Sequence, residues 1–312
     1  MKKDLYQKIS IRLLLMKNSI LSILIGVACT LAILSITSAS KDQPHPAETP
    51  PSTVKPFKLP RSISIAGEEM PLSSLDVQER LDREILVNSY WQSNNLLMLK
   101  RSNKWFPVIE PILHEENIPD DFKYLALIES GLQNIVSPAG AAGPWQIMKS
   151  TGREKGLQID NEVDERYDME KATRVACSYL SEAYERFDNW TLAAASYNMG
   201  MAGTAKRLNE QQVNNYYDLR LNNETARYIF RIAAVKHIHE NLNDYGYIYH
   251  NSEGYKLPVF DTVLVDGPVE NWVDWALEQR ITYKELRLYN PWIRADKLTN
   301  SSNNTYAILV AK

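Results

Sequence analysis

The sequence is poor in cysteine and carries little excess charge of either sign. It has two cysteines, and Cys29 lies within a long apolar run near the N-terminus. Cys177 is therefore the one thiol outside that run and cannot form an intramolecular disulfide. The folded part must rely on its hydrophobic core. Because Cys177 follows a helical pattern beside Ala176 and Leu180, we expect it to pack and not to act as a nucleophile.

Charge and histidine content exclude further classes of protein. The net charge is -3, so no basic surface favours nucleic-acid binding. The five histidines are scattered, and His237 and His239, two apart on a predicted helix, face different sides. The sequence therefore predicts no nucleic-acid partner, no metal site and no cofactor.

Residues 1–40 are predicted to be a membrane anchor or a signal segment. Lys and Arg residues precede an apolar run from Ser19 to about Ser40, which is long enough to span a bilayer as one helix. Basic residues before the span keep the N-terminus in the cytoplasm and direct the rest outward. The length favours an uncleaved anchor, while Ser38-Ala39-Ser40 leaves open a cleaved signal peptide.

Two segments follow the predicted anchor. Residues 41–71 are polar, rich in proline and without periodicity, which is typical of an extended linker. Residues 72–117 show helical spacing of leucines and are predicted to form a helical N-terminal extension. Within this extension Trp105 to Glu116 is predicted as a separate helix.

Glu129 is the most informative residue of the chain. Pro119 suits the first turn of a helix that runs from Phe122 to Ile128 and is apolar nearly all round, so the helix should be buried. Glu129 continues its inward stripe in the last turn, where the helix dipole disfavours a negative charge. Both effects raise the pKa of a carboxyl group and suit a general acid. A buried structural glutamate, capping backbone or paired with a distant arginine, remains the alternative.

Four motifs in order resemble the soluble lytic transglycosylase domain of the goose-type lysozyme superfamily. They are Glu129-Ser130-Gly131, the loop from Ser137 to Met148, Ser196-Tyr197-Asn198-Met199-Gly200 and Glu224-Thr225-Ala226-Arg227-Tyr228. The resemblance covers about residues 72–245, and we place the catalytic domain at 118–245. It implies a mainly α fold: a lysozyme-like helical domain with a groove across it.

The resemblance also implies roles for individual residues. Glu129 matches the family's single catalytic acid/base, and Tyr197 with Asn198 matches a pair whose hydroxyl and amide face that acid. Glu224 and Tyr228 match residues one layer further out on a later helix. The full set of implied substrate-binding residues is Ser130, Ser137, Gln146, Met148, Tyr197, Asn198, Glu224 and Tyr228.

The implied reaction is cleavage of peptidoglycan glycan strands between N-acetylmuramic acid and N-acetylglucosamine, with formation of a 1,6-anhydro ring. The implied place is the periplasmic side of a bacterial inner membrane, anchored by the N-terminal segment, or a cleaved secreted form. Two alternatives remain. A hydrolytic muramidase would use a residue of the acidic cluster Asp160, Glu162, Asp164 and Glu165 to activate water, although these residues fit solvated loop and helix-start positions better. A non-catalytic scaffold would bind the wall without turnover.

Residues 257–312 are predicted to form a small βααβ module. Strands are predicted at 261–265 and 305–310, with helices at 269–279 and 283–289. The runs 281–286 and 289–293 resemble a LysM module, which implies binding of N-acetylglucosamine polymers. The usual Gly-Asp-Thr turn is replaced by Asp266-Gly267-Pro268-Val269-Glu270. The module is therefore predicted either to bind glycan or to pack on the catalytic domain as a degenerate unit.

Overall fold

Helices make up most of the computed structural model, which describes residues 55–312. Residues Pro56–Lys312 form one compact unit. The elements in chain order are β1 (Ser64–Ile65), β2 (Glu68–Glu69), α1 (Leu75–Tyr90), α2 (Gln92–Glu115), α3 (Lys123–Ser130), α4 (Lys149–Glu154), α5 (Met169–Phe187), α6 (Trp190–Met199), α7 (Met201–Gln211), α8 (Asn223–Glu240), β3 (Phe260–Val265), α9 (Trp272–Glu278), α10 (Tyr283–Tyr289) and β4 (Tyr306–Ala311).

The prediction of a mainly α protein with a small C-terminal βααβ module is confirmed. Helix α8 lies at the centre of the larger core, where Ile229, Phe230 and Ala233 have no exposed surface. Helices α1, α3 and α6 pack around it. A helix buried on most sides is expected to be apolar on most sides, and nine residues of α8 are buried.

The predicted separate helix from Trp105 to Glu116 is wrong. Helix α2 runs unbroken from Gln92 to Glu115 and contains Pro107 and Pro111. A proline inside a helix removes one backbone hydrogen bond and usually favours a break. Here Ile109 and Leu113, both completely buried on the same helix, anchor this half of α2 in the core and outweigh that cost.

The end of the predicted linker is also structured, which corrects the boundary at residue 71. Strands β1 and β2 form an antiparallel hairpin, and Ile65 is buried in the main core. The Glu68 carboxylate accepts hydrogen bonds from the backbone amides of Trp190 (2.6 Å) and Thr191 (2.9 Å) at the start of α6. A carboxylate there satisfies free amides and complements the positive end of the helix.

Strands β3 and β4 of the C-terminal module are antiparallel, with Phe260 opposite Ala311 and Val265 opposite Tyr306. Trp272, Leu286 and Ile308 fill the space between this ribbon and the two helices. The strands and helices lie within a few residues of their predicted bounds. The alternation of side chains along the strands and the helix caps, such as Thr282 with Glu285 at α10, explain why these elements could be predicted from the sequence.

The C-terminal module packs directly on the larger helical part. Ala142, Val163 and Tyr167 from the helical part belong to the module's own hydrophobic core. Val163 also pairs with Ile293 in an antiparallel β-bridge. The packing predicted for a degenerate module is therefore observed, while glycan binding by the module stays a prediction.

The predicted anchor, residues 1–40, and the first part of the linker, through residue 54, lie outside the described residues. Within residues 55–312, no helix combines the length and apolar character needed to cross a bilayer.

Candidate active site

Glu129 occupies the last turn of α3, where it is half-buried while residues 124–127 before it are buried. Leu125 and Ala126 before it have no exposed surface. The helix ends at Gly131, which has a φ of 62° and donates its backbone amide to Leu127 O at 2.9 Å. Glycine adopts this left-handed conformation without steric cost. The turn fixes the end of α3 and so fixes the Glu129 side chain relative to the helix.

The Glu129 carboxyl group is hydrogen-bonded to Tyr228 of α8. The Tyr228 hydroxyl donates to Glu129 Oε1 in a short hydrogen bond. Burial, and after it the charge of Glu129, raises the pKa of Tyr228 well above its ordinary value, so this hydroxyl keeps its proton. The sequence placed Tyr228 one layer behind the acid, and the structure corrects this to direct contact.

The pKa of Glu129 is raised above the ordinary value of a glutamate. Burial is the largest cause and disfavours the charged carboxylate. The Tyr228 hydrogen bond and the positive charge of Arg231 oppose it, while the negative charge of Glu224 adds to it. The net result favours a protonated carboxyl group at a pH where an exposed glutamate would be ionised.

Arg231 is a charged neighbour of Glu129 that sequence reasoning missed. Its positive charge acts on Glu129 through space. Arg231 follows Tyr228 by three residues on α8, so both side chains lie on the same face of that helix. That i, i+3 spacing was the available signal, but it could be used only once Tyr228 was known to touch the acid.

The Tyr197 and Asn198 side chains form hydrogen bonds with groups of the protein itself. The Tyr197 hydroxyl donates to Trp145 O at 2.8 Å, and burial followed by the charge of Glu129 raises its pKa well above the ordinary value. Asn198 Oδ1 accepts a hydrogen bond from Thr225 Oγ1 at 2.8 Å. Tyr197 is thus near the acid, and its one hydroxyl proton is directed to the backbone of the loop that precedes α4.

Ser130 ties the end of α3 to that loop. Its hydroxyl donates to Pro144 O at 2.7 Å and accepts from the Gln133 amide at 3.1 Å. Ser137 accepts a hydrogen bond from the Ala141 amide at 3.0 Å, which closes a turn within the loop. Both serines hold backbone in place.

Gln146 and Met148 lie at the other end of the loop. Gln146 has a φ of 49°, and its side-chain amide donates a hydrogen bond to Gly143 O at 2.9 Å. Met148 precedes α4 with 42% of its surface exposed, so its thioether is available to a ligand. Of the predicted binding residues in this loop, Met148 is the most accessible.

Arg166 holds the same loop through hydrogen bonds to its backbone carbonyl groups. Its Nη1 donates to Gly140 O at 3.0 Å and to Ile147 O at 3.2 Å. At Gly143 a Cβ atom would come within 1.8 Å of Arg166 O, and the φ of 79° also favours glycine. The loop and the Arg166 segment are packed too closely for any other residue at position 143.

The acidic cluster after the loop is structural, and the expectation that it is solvated is wrong for two of its members. Asp164 and Glu165 are buried: Asp164 pairs with Arg166 at 2.7 Å and Glu165 pairs with Lys171. Asp160 caps its own turn by accepting the Val163 amide. These carboxylates are held by local partners, which explains how buried acids are tolerated.

Glu162, the fourth member of the cluster, reaches the C-terminal module. Its carboxylate accepts hydrogen bonds from the Thr299 amide and from the Thr299 hydroxyl, both at 2.7 Å. The backbone amide of Arg294 donates to Glu162 O at 2.8 Å. Through Glu162, the cluster therefore contributes hydrogen bonds to the interface between the helical part and the module.

Other chemistry-bearing side chains lie away from the acid. Burial raises the pKa of Cys177 to about 12, so the thiolate is strongly disfavoured and the residue packs in the core. His239 is half-buried, and its Nε2 is hydrogen-bonded to Asn95 Oδ1 at 2.8 Å. Among residues 55–312 no group of three or more histidine, cysteine, aspartate or glutamate residues is arranged to hold a metal ion.

Residues 107–219 match the family model described as transglycosylase SLT domain. The chain contains an SLT domain. Residues 261–312 match the soluble lytic transglycosylase C-terminal LysM-like domain. Both matches confirm the resemblance that the ordered motifs and the C-terminal pattern indicated.

Curated relatives of this chain are similar over its larger part. The membrane-bound lytic murein transglycosylase D proteins of Escherichia coli strain K12 and of Escherichia coli O6:H1 are each 31% identical over 210 residues, which cover 64% of this chain and 44% of the relative. The chain thus spans less than half the length of these relatives.

Two solved structures are similar to parts of the chain. The 70 kDa soluble lytic transglycosylase of Escherichia coli has a TM-score of 0.39 and 18% identity, over 55% of this chain and 31% of that chain. An inactive mutant of the lytic transglycosylase Slt from Pseudomonas aeruginosa has a TM-score of 0.35 and 20% identity, over 44% of this chain and 24% of that chain.

The SLT match includes Glu129 and the loop through Met148 but ends before α8. Tyr228 and Arg231, which act on the acid, come from the segment that follows the SLT domain. The site as folded is therefore built from two stretches of sequence, one inside the matched domain and one beyond it.

Proposed function

We propose that this protein is a peptidoglycan lytic transglycosylase with Glu129 as its single acid/base. It would cleave the β-1,4 bond between N-acetylmuramic acid and N-acetylglucosamine and leave 1,6-anhydro-muramyl ends. The SLT domain and the murein transglycosylase relatives support the reaction class. The observation that carries the assignment of the acid is the half-buried Glu129 side chain, whose carboxyl group has a raised pKa and accepts the Tyr228 hydroxyl on Oε1.

The proposed reaction needs one protein carboxyl group. Protonated Glu129 gives its proton to the glycosidic oxygen as the bond to muramyl C1 breaks, and the acetamido carbonyl oxygen of the same sugar bonds to C1. The Glu129 carboxylate then takes the proton of the C6 hydroxyl, O6 bonds to C1, and the bond from the acetamido oxygen breaks. Glu129 is protonated again and no water is consumed.

The neighbours of Glu129 fit the charge changes in these steps. The carboxylate formed in the first step would be stabilised by the Tyr228 hydrogen bond and by Arg231. Ser130, Ser137 and Gln146 would act on the substrate through the loop whose backbone they hold.

The remaining predicted substrate-binding side chains are proposed to contact the glycan near the acid. Met148 is exposed beside the loop, and Asn198 and Tyr197 follow one another at the end of α6. Glu224 is exposed in the first turn of α8, where its charge acts on Glu129.

Hydrolysis by a muramidase is the second candidate, and Glu224 is the observation that favours it. An exposed carboxylate electrostatically close to an acid can activate water on the opposite face of a sugar, as in inverting glycosidases. The acidic cluster at 160–165 is a poor source of such a base, because its carboxylates have local partners.

Product analysis on purified glycan strands tests both candidates. Mass spectrometry should find anhydro-muramyl ends with the wild-type protein, and Glu129→Gln should release almost no fragments. Glu170→Gln, the same change at an exposed position of α5, is the matched control and should behave as wild type. Reducing muramyl ends that disappear in Glu224→Gln would instead establish hydrolysis, and equal release by Glu129→Gln would contradict the assigned acid.

The proposed partner is the peptidoglycan strand, and the proposed location is the bacterial envelope. The names of the curated relatives, which are membrane-bound murein transglycosylases, support this placement. We propose inner-membrane anchoring through residues 1–40 with the catalytic domain in the periplasm. Detection of the full-length chain in inner-membrane fractions, resistant to salt extraction, would test it.

A further inference from the structure

The junction between α1 and α2 carries an exposed apolar cluster that the candidate active site does not use. Trp91 joins the two helices, and its amide donates to Val87 O at 3.1 Å, so these two residues lie one helical turn apart. Leu86 and Val87 are both exposed. We call Leu86, Val87 and Trp91 the junction patch.

Trp91 is the unusual member of the junction patch. The sequence has seven tryptophans, all within the described residues, and Trp91 alone is exposed, with 59% of its surface accessible. Tryptophan is normally buried over most of its surface. A tryptophan that is exposed together with apolar neighbours indicates a contact with something outside the fold.

The N-terminal end of the described chain lies at the junction patch. Phe57 packs on Tyr90, the residue before Trp91, with ring centroids 5.5 Å apart, and on Tyr245 at 4.9 Å. Residues 41–56 separate Phe57 from the predicted span, and a chain of that length reaches roughly 55 Å at most. An anchored chain therefore keeps the patch near the lipid, where a high effective concentration favours even a weak contact.

The segment that leads to the patch is basic. Lys58 and Arg61 are exposed, and residues 55–67 contain no acidic residue. The acidic residues Glu79 and Asp82 of α1 lie two to three turns before Trp91 along the chain. Tryptophan is enriched at the headgroup level of bilayers, and lysine or arginine near the surface is attracted by anionic lipids. The combination therefore suits an anionic bilayer surface.

A second copy of the chain suits the patch less well. Two copies packed patch to patch would bring their two basic segments together, because a symmetric dimer uses the same surface on both subunits. Like charges at short range repel. The charge around the patch therefore favours lipid over self-association.

We propose that the junction patch docks on the surface of the membrane that holds the N-terminal segment, with Trp91 at the level of the lipid headgroups and Lys58 and Arg61 next to anionic ones. The proposal rests on the proposed anchoring and does not depend on which glycosidic bond is cleaved. The folded part is then held against the lipid and is not free at the end of its linker.

Fluorescence quenching by brominated lipid tests the docking with the full-length chain. The chain is reconstituted in vesicles that contain phosphatidylglycerol, with ordinary or acyl-brominated phosphatidylcholine as the other lipid. Residues 1–54 contain no tryptophan, so quenching reports only on the folded part. Bromine should remove roughly one seventh of the emission, since one tryptophan of seven meets the lipid. Trp91→Phe should abolish the quenching, and Trp275→Phe, the same change at a half-buried tryptophan of the C-terminal module, should retain it.

A charge variant tests the preference for anionic lipid. Lys58→Gln should reduce the quenched fraction by about twofold in vesicles with phosphatidylglycerol and leave it unchanged in phosphatidylcholine alone. Lys206→Gln, the same change at an exposed lysine of α7, is the matched control and should behave as wild type. Equal quenching of the two variants in both vesicles would overturn the assignment of anionic lipid.

The remaining outcomes overturn the docking itself. Unquenched emission from chains that float with brominated vesicles would show that the patch faces water, and quenching that survives Trp91→Phe would assign the contact to another face. A Trp91-dependent emission shift that grows with the protein-to-lipid ratio, without quenching, would assign the patch to a second copy. A chain that does not float with the vesicles would contradict the proposed anchoring and this proposal with it, whereas its cleavage of glycan strands, measured separately, would still support the proposed reaction.

Discussion

The protonation of Glu129 depends on two charged residues that act in opposite directions. Burial raises its pKa, Arg231 lowers it and Glu224 raises it. The first step of the proposed reaction requires the protonated form, so activity should fall as pH rises through the pKa of Glu129. The pH profile of kcat therefore reports the local balance of charge.

Arg231→Gln and Glu224→Gln should move the alkaline limb of that profile in opposite directions. Loss of the Arg231 charge removes an influence that lowers the Glu129 pKa, so the limb should move to higher pH. Loss of the Glu224 charge removes an influence that raises the Glu129 pKa, so the alkaline limb should move to lower pH. Measurement of kcat against pH for both variants checks this, and shifts in the same direction would contradict the charge assignment.

Tyr228→Phe separates the donor role of Tyr228 from its packing role. The variant keeps the ring but loses the hydrogen bond to Glu129 Oε1. We expect kcat to fall by about tenfold to a hundredfold, since a hydrogen bond to a charged group contributes roughly 1.5–3 kcal/mol.

The alkaline limb of the Tyr228→Phe profile should also move to higher pH, because that hydrogen bond lowers the Glu129 pKa. Tyr216→Phe is the control: its hydroxyl is also buried but bonds to Thr225 O, away from the acid. Equal kcat losses in the two variants would show that Tyr228 acts by packing alone.

Among the elements, α1 positions α8 and thereby Tyr228 and Arg231. These two helices form the most extensive helix pair of the described chain. Glu84 of α1, with 1% exposure, accepts hydrogen bonds from Arg227 at 2.6 and 3.3 Å. Arg227 is adjacent to Tyr228, so this half-buried ion pair fixes the helix turn that carries the hydroxyl donor.

Glu84→Gln should destabilise the protein by about 2–3 kcal/mol, because it removes the buried carboxylate that pairs with both Arg83 and the partly buried Arg227. Asp76→Asn is the matched control on the same helix: it breaks the exposed pair with Arg80, at 3.0 Å, and should cost roughly 0.5 kcal/mol. Denaturant unfolding of both variants provides the measurement. Equal losses would show that the Glu84 pair contributes no more than a surface pair.

Local patterns predicted the elements well, and long-range pairs were not predictable. Pro119 and the apolar run after it indicated α3 and the position of Glu129 in its last turn. The partner of Glu129 lies 99 residues away, and no periodicity relates the two. The burial of Asp164 was not predictable for the same reason, since its backbone amide donates to Trp292 O of the C-terminal module at 2.9 Å.

At the scale of the whole molecule, the C-terminal module and the loop from Ser137 to Met148 share one core. Ala142 lies within the loop and is also part of the module's hydrophobic core. Arg166 holds two carbonyls of that loop, and Glu162, four residues earlier, holds Thr299 of the module. Docking of the module therefore supports the loop beside Glu129.

Val163→Ala should lower the melting temperature of the protein as a single transition. Val163 is 1% exposed between the two parts, and the lost methyl groups should cost about 2 kcal/mol, or roughly 5 °C. Val259→Ala, the same change at a residue that is 70% exposed, is the control and should have almost no effect. Two separate calorimetric transitions would show that the module unfolds independently.

Because of the shared core, the C-terminal module cannot simply be exchanged for another domain. A chimera that replaced residues 257–312 with an autonomous sugar-binding repeat would leave Val163 and Tyr167 without their apolar neighbours. Thr299 would also be missing from the Glu162 carboxylate. A replacement domain would have to reproduce the surface with which the C-terminal module packs on the helical part, whatever ligand it binds.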